Sequence, residues 1–103
     1  MIKIIVERKT KKGKEGELIA LLRQVKSEAS LYPGYISGET LYSVDDPTLV
    51  LIIATFTSIE AWKEWERRPE RLGVTSKIDP LLERPAKVTV FNIAHWYPEK
   101  TSR

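Results

Sequence analysis

Apolar and polar positions change period along the chain, and the changes predict its elements. Ile2, Ile4 and Val6 alternate with Lys3, Ile5 and Glu7, which predicts a strand over 2–9. Leu18, Leu21, Leu22, Val25 and Ala29 follow at i, i+3, i+4, i+7 and i+11, one apolar stripe on a helix. Glu15 and Glu17 suit the first turn of that helix, and Pro33-Gly34 ends it. YISGETLYSV (35–44) reads as a strand with a weak point at Gly38, and Asp45-Asp46-Pro47 as a turn. LVLIIATF (49–56) carries apolar residues on both faces, so it is expected to be covered on both sides. Thr57 and Glu60 have the capping-box spacing ahead of a helix bearing Ala61, Trp62 and Trp65. Pro69 breaks that helix or starts the next one. Leu72, Ile78, Leu81 and Leu82 suggest a further helical segment, interrupted at Asp79-Pro80. Lys87 to His95 closes the chain as a strand.

The order is βαββαβ with an extra helical excursion before the last strand, which predicts an α+β, ferredoxin-like domain with an antiparallel sheet. In that arrangement the helices cover one sheet face. The other face carries apolar residues from at least three strands, so a second subunit or a ligand is expected to cover it. The 103 residues allow one domain, expected over 1–97, with a short tail over 98–103. A chain this short buries about two-thirds of its unfolded surface, so a partner would add needed burial.

Composition narrows the chemistry. With 42% hydrophobic and 30% charged residues the chain is globular rather than disordered. It has no cysteine and one histidine, which excludes disulfides, thiolate nucleophiles and multi-histidine metal sites. No signal peptide is evident, and the longest apolar stretch, Leu49 to Ala54, is too short for a bilayer. A cytoplasmic, non-membrane protein is expected. Basic residues gather at Arg8–Lys14 and at Arg67, Arg68 and Arg71, and both runs read as solvated surface. An RNA-recognition module shares the element order, but its middle strand should present stacking aromatics. LVLIIATF is aliphatic except at its end, so no nucleic-acid partner is expected.

The chain resembles the antibiotic biosynthesis monooxygenase (ABM) domain, a family of dimeric α/β barrels. The residues that carry the resemblance are Tyr32-Pro-Gly-Tyr35, Asp45-Asp-Pro47, Ser58-Ile-Glu-Ala-Trp-Lys-Glu-Trp65, Pro80-Leu-Leu82 and Val88-Thr-Val-Phe91. The resemblance implies a homodimer whose two sheets share a barrel, with a pocket between sheet and helices in each subunit. It also implies, through some relatives, cofactor-independent oxygenation of polyphenolic, anthrone-like or quinol substrates. Heme-degrading relatives use a first-strand asparagine, a second-helix tryptophan and a histidine beyond it. Trp65 matches the tryptophan, Val6 or Glu7 stands at the asparagine, and Thr75, with Arg71 nearby, stands where the histidine would be. Without that histidine the usual heme ligand is missing.

The expected function is therefore monooxygenation of a small aromatic without metal or organic cofactor. The alternative is a non-catalytic dimer that binds a ligand or a partner. His95 is the candidate general base, because an imidazole titrates near neutral pH. Trp65 joins it as a candidate catalytic residue. Trp62 shares its helix face, three residues away, and could wall an aromatic pocket. Tyr35, Asn92 and Phe91 are further candidates for substrate binding. Strand alternation groups Tyr35 with Ser37 and Glu39 and puts Tyr42 opposite.

Overall fold

The computed structural model describes residues 1–94. Four strands, β1 (Ile2–Lys9), β2 (Tyr35–Tyr42), β3 (Leu49–Phe56) and β4 (Lys87–Asn92), form one antiparallel sheet in the order β2-β3-β1-β4. Three helices, α1 (Glu15–Ala29), α2 (Ile59–Glu66) and α3 (Pro69–Ile78), and a 3₁₀ turn (Asp79–Leu81) complete the chain. This is the α+β, ferredoxin-like arrangement. The last strand stops at Asn92, short of the expected His95, and His95 and the 98–103 tail lie outside the described residues.

The register decides which face each residue serves. Ile2, Ile4, Val6 and Arg8 of β1 stand opposite Phe56, Ala54, Ile52 and Val50 of β3, all on the helix side. Against them pack Leu18, Leu22 and Ala29 of α1, Trp62 and Trp65 of α2, and Val74 and Ile78 of α3, all buried. The stripe on α1 thus does what its spacing predicts.

Among the described residues no helix packs on the opposite face. There Leu41, Leu51, Ile53, Ile5 and Phe91 share the surface with Lys3, Glu7, Ser37 and Glu39. Leu41 is 41% exposed and Phe91 48%, while Leu51, Ile53 and Ile5 are half-buried.

Two local readings need correction. A bulge between Tyr35 and Ser37 adds one residue to β2, which turns Tyr35 onto the helix side with Gly38, Thr40 and Tyr42. Ser37, Glu39 and Leu41 fall on the open side, so Tyr35 and Tyr42 share a face rather than oppose each other. Second, Ser58, not Thr57, caps α2: its Oγ accepts the Ala61 N–H at 3.1 Å. Pro69 sits in the first turn of α3 and starts that helix rather than breaking α2.

Gly34 joins α1 to the sheet at φ +99°, and a Cβ there would meet the Ala61 Cβ at 2.6 Å. The turn before β3 is held by Asp46. Its carboxylate accepts hydrogen bonds from Lys9 Nζ and from the Thr48 hydroxyl and N–H. These bonds hold the carboxyl well below its usual range, at about 2.

Candidate functional site

Between the helix face of the sheet and the helices lies a cavity of about 60 Å³. That is several times the space one water needs, and the lining is mostly apolar. Its walls come from three strands, with Ile4, Val6 and Arg8 of β1, Tyr35, Gly38, Glu39 and Thr40 of β2, and Ile52, Ala54 and Phe56 of β3. Val25 and Lys26 of α1, both tryptophans of α2, and Arg71 and Thr75 of α3 close it from the other side.

Aromatic rings hold one end by edge contacts. Tyr35 meets Phe56 edge to face, with centroids 5.6 Å apart, and Phe56 meets Trp62 the same way at 5.4 Å. Trp65 leans on Tyr32 at 5.8 Å, and the Tyr32 hydroxyl donates to Glu64 Oε1 at 2.6 Å. Gly38 makes room for this wall, since a Cβ there would sit 2.6 Å from the Tyr35 hydroxyl. Burial raises the Tyr35 phenol above its ordinary pKa, so it stays protonated near neutral pH.

Charge holds the other end. Arg8 is only 7% exposed, and its Nε has no hydrogen-bond acceptor among the described residues. Desolvation, with the nearby Arg71 charge added, pushes its guanidinium down to about 10, against a smaller opposing pull from Asp79. Arg71 lies over the Trp62 ring, 5.2 Å from its centroid, and reaches the Glu66 carbonyl at 3.4 Å. Burial lowers its pKa as well. Neither arginine makes an ion pair among the described residues. The expectation that both basic runs are solvated therefore fails at Arg8 and at Arg71. The available signal was strand alternation, which carries Ile2, Ile4 and Val6 straight on to Arg8.

Of the sequence candidates, Trp62, Trp65 and Tyr35 meet at the cavity. The two tryptophans are also core residues, each 4% exposed, so packing and pocket wall are one arrangement. Asn92 and Phe91 are exposed on β4 and do not line the cavity; Phe91 belongs to the open face. His95 lies outside the described residues. Thr75 lines the cavity where heme-degrading relatives would need an imidazole, and its hydroxyl donates to the Arg71 carbonyl at 2.8 Å.

The fold and the cavity define a ferredoxin-like α+β domain with an aromatic and cationic chamber between sheet and helices. The family profile described as antibiotic biosynthesis monooxygenase matches residues 1–73, and the chain belongs to that family. Solved structures agree on the fold. SnoaB, a cofactor-independent oxygenase from Streptomyces nogalater, is 19% identical over 95% of this chain and 98% of its own, with TM-score 0.82. Rv0793 from Mycobacterium tuberculosis is 22% identical over 92% of this chain and 96% of its own, with TM-score 0.85. A conserved protein from Methanosarcina mazei is 12% identical over 87% and 89%, with TM-score 0.83. No curated protein matches the sequence.

Proposed function

We propose that this chain is a cofactor-independent monooxygenase that works as a homodimer on a small electron-rich aromatic of the quinol, polyphenol or anthrone type. The observation that carries the reading is the apolar, aromatic-walled cavity of an ABM-family chain. Removing a proton from the substrate gives an anion able to pass an electron to O₂. Recombination then forms a carbon–peroxide bond. At a methylene carbon, loss of water from the peroxide leaves a carbonyl, so one O₂ supplies one oxygen to product and one to water. The protein's work is to hold the ring, exclude bulk water and place the anion beside O₂. Trp62 and Trp65 present flat faces and edges for that purpose, and the protonated Tyr35 is a donor rather than a base. His95 is the proposed base on its chemistry alone.

At about 60 Å³ the cavity is far below the several hundred Å³ of typical small-molecule sites, so admitting the substrate has to widen it. Val6, Arg8, Arg71 and Thr75 also line a surface cleft of about 570 Å³, which makes this the natural way in. The half-buried apolar row on the open sheet face supports the dimer, which would cover it. A non-catalytic ligand-binding dimer is the second reading. It is favoured by a cavity lining that contains no histidine among the described residues.

The test is thermal unfolding against quinols, anthrones, flavins and hemin, followed by O₂ uptake with any compound that binds. A ligand at a hundredfold excess over its Kd stabilises by about 2.7 kcal/mol. A shift with a quinol or anthrone, and O₂ uptake that falls in Trp65→Phe while the fold survives, supports the oxygenase. Binding without O₂ uptake supports the ligand-binding dimer. A shift with hemin alone overturns both the aromatic-substrate reading and the argument from Thr75.

A further inference from the structure

We propose that Arg8 and Arg71 form an oxyanion-binding site at the inner end of the cleft. It would receive the carboxylate or phenolate oxygen of a planar ligand whose ring occupies the adjoining cavity. Arg8 is a buried cation whose Nε–H has no acceptor among the described residues. A buried charge without a partner is costly, and folds keep one only where something else is gained. Arg71, a second guanidinium, lines the same cavity and the same cleft, so the two can converge on one group. Lys26 adds a third cation to the cavity lining. The acidic groups nearby are Asp79, which acts on both arginines and lines the cleft, Glu66 beside Arg71, Glu83 in the cleft wall and Glu39 in the cavity wall, and among the described residues none of them forms an ion pair with either arginine.

The guanidinium fork suits an oxyanion better than an ammonium would, because its N–H groups pair with both oxygens of a carboxylate or share a single phenolate oxygen. Trp62 fixes the fork by stacking under Arg71. Its opposite neighbour, Phe56, ties the same indole to the aromatic end of the cavity. A ligand with an apolar ring and one oxyanion therefore matches both ends at once. A carboxylate would arrive charged. A phenolate would form in place, its proton lost to solvent or to a base, and the arginine pair would lower the phenol's pKa. The inference rests on the proposed function only for the aromatic nature of the ligand.

Two measurements test it. The first compares benzoate with benzamide, which matches it in shape and lacks the charge, by calorimetry on the intact protein. Losing one charge-assisted hydrogen-bond partner is expected to weaken binding about tenfold or more. Benzoate should therefore bind at least about tenfold tighter than benzamide, and Arg8→Met should remove that preference. The second follows the absorbance of 4-nitrophenol just below its solution pKa. A phenolate spectrum on adding wild-type protein, absent with Arg8→Met, identifies a phenolate site. Benzoate preference with a neutral nitrophenol spectrum identifies a carboxylate site.

Arg8→Met should keep the fold and raise the melting temperature, since it removes a buried unpaired charge. A fall in melting temperature would make Arg8 a packing element and overturn the proposal. Arg71→Gln gives a second reading of the same preference. Equal binding of benzoate and benzamide, no binding of either, or a preference that survives both variants also overturns it. The outcomes separate from those of the oxygenase. Arg8-dependent benzoate binding without O₂ uptake leaves this site standing and removes the oxygenase. Quinol turnover that is unchanged in Arg8→Met does the reverse.

Discussion

Arg8 and Lys9 are neighbours on one strand, yet they meet opposite conditions. Strand alternation sends Arg8 to the helix face, where it is buried and its Nε has no acceptor among the described residues. Lys9 goes to the other face, where its ammonium donates to the Asp46 carboxylate and the Thr48 hydroxyl and ties β1 to the β2–β3 turn. One charge is accounted for by the fold and the other is not. Near a cavity, the unaccounted one is the stronger pointer to a ligand. The two faces differ in the same sense. The helix side is filled by two hydrophobic clusters around its cavity, while the open side leaves apolar residues partly exposed.

The largest expected effect lies on the filled side. Trp62 is 4% exposed and links Phe56 to Arg71. Trp62→Ala should lower stability by about 3–5 kcal/mol in chemical denaturation, as large-to-small changes in cores do. A loss under about 1 kcal/mol would mean the aromatic end is a loosely packed ligand wall rather than core.

On the open side the same measurement should respond much less. Ile53 stands between Glu39 of β2 and Ile5 of β1, and among the described residues no helix covers it. Ile53→Asp should convert a dimer into a folded monomer in analytical ultracentrifugation, with the secondary structure retained in circular dichroism. A wild-type protein that sediments as a monomer, or a variant that stays dimeric, would detach the open face from the proposed dimer.

These two faces also show how far the sequence could be read. Period-two alternation in β1 and the stripe on α1 were legible because each buries one clear face, and the aromatic wall followed from the spacing of Trp62 and Trp65. The bulge at Ile36 was not legible, since one extra residue flips every later side chain and leaves no mark in composition. The Arg8–Arg71 end was missed for another reason. Both residues sit in basic runs, and a run of charges reads as solvated surface unless strand register is carried through it. Arg8 of β1 and Arg71 of α3 line one cavity although they are far apart in the chain, and local pattern does not encode that placement.

The adjacent cations give the next, smaller effects. Arg8→Met should raise stability by about 1 kcal/mol or more, because replacing a buried charge with an apolar group of similar length is often stabilising. Lys9→Met should lower it, by at most about 1 kcal/mol, because a partly exposed ion pair is worth little. Opposite signs from two neighbouring Lys/Arg-to-Met changes would confirm that the fold uses one charge and tolerates the other. Equal signs would collapse the distinction.

The smallest effect is a pH dependence at the partner of Lys9. Asp46 is held at about 2 by hydrogen bonds from Lys9 and Thr48, below the ordinary value of 3.8. A carboxyl depressed in the folded state binds its proton more readily when the chain unfolds. Its contribution is therefore complete above about pH 4 and is lost as pH falls towards about 2. Asp46→Asn removes that linkage without removing the turn. The melting temperature of wild type should exceed that of Asp46→Asn at neutral pH, and the gap should close between about pH 4 and pH 2. The carboxyl is exposed, so the gap is expected to be small and to shrink in high salt. A gap that stays constant down to pH 2 would place the contribution of Asp46 in turn geometry alone, and Lys9 would then be as idle on its face as Arg8 is on the other.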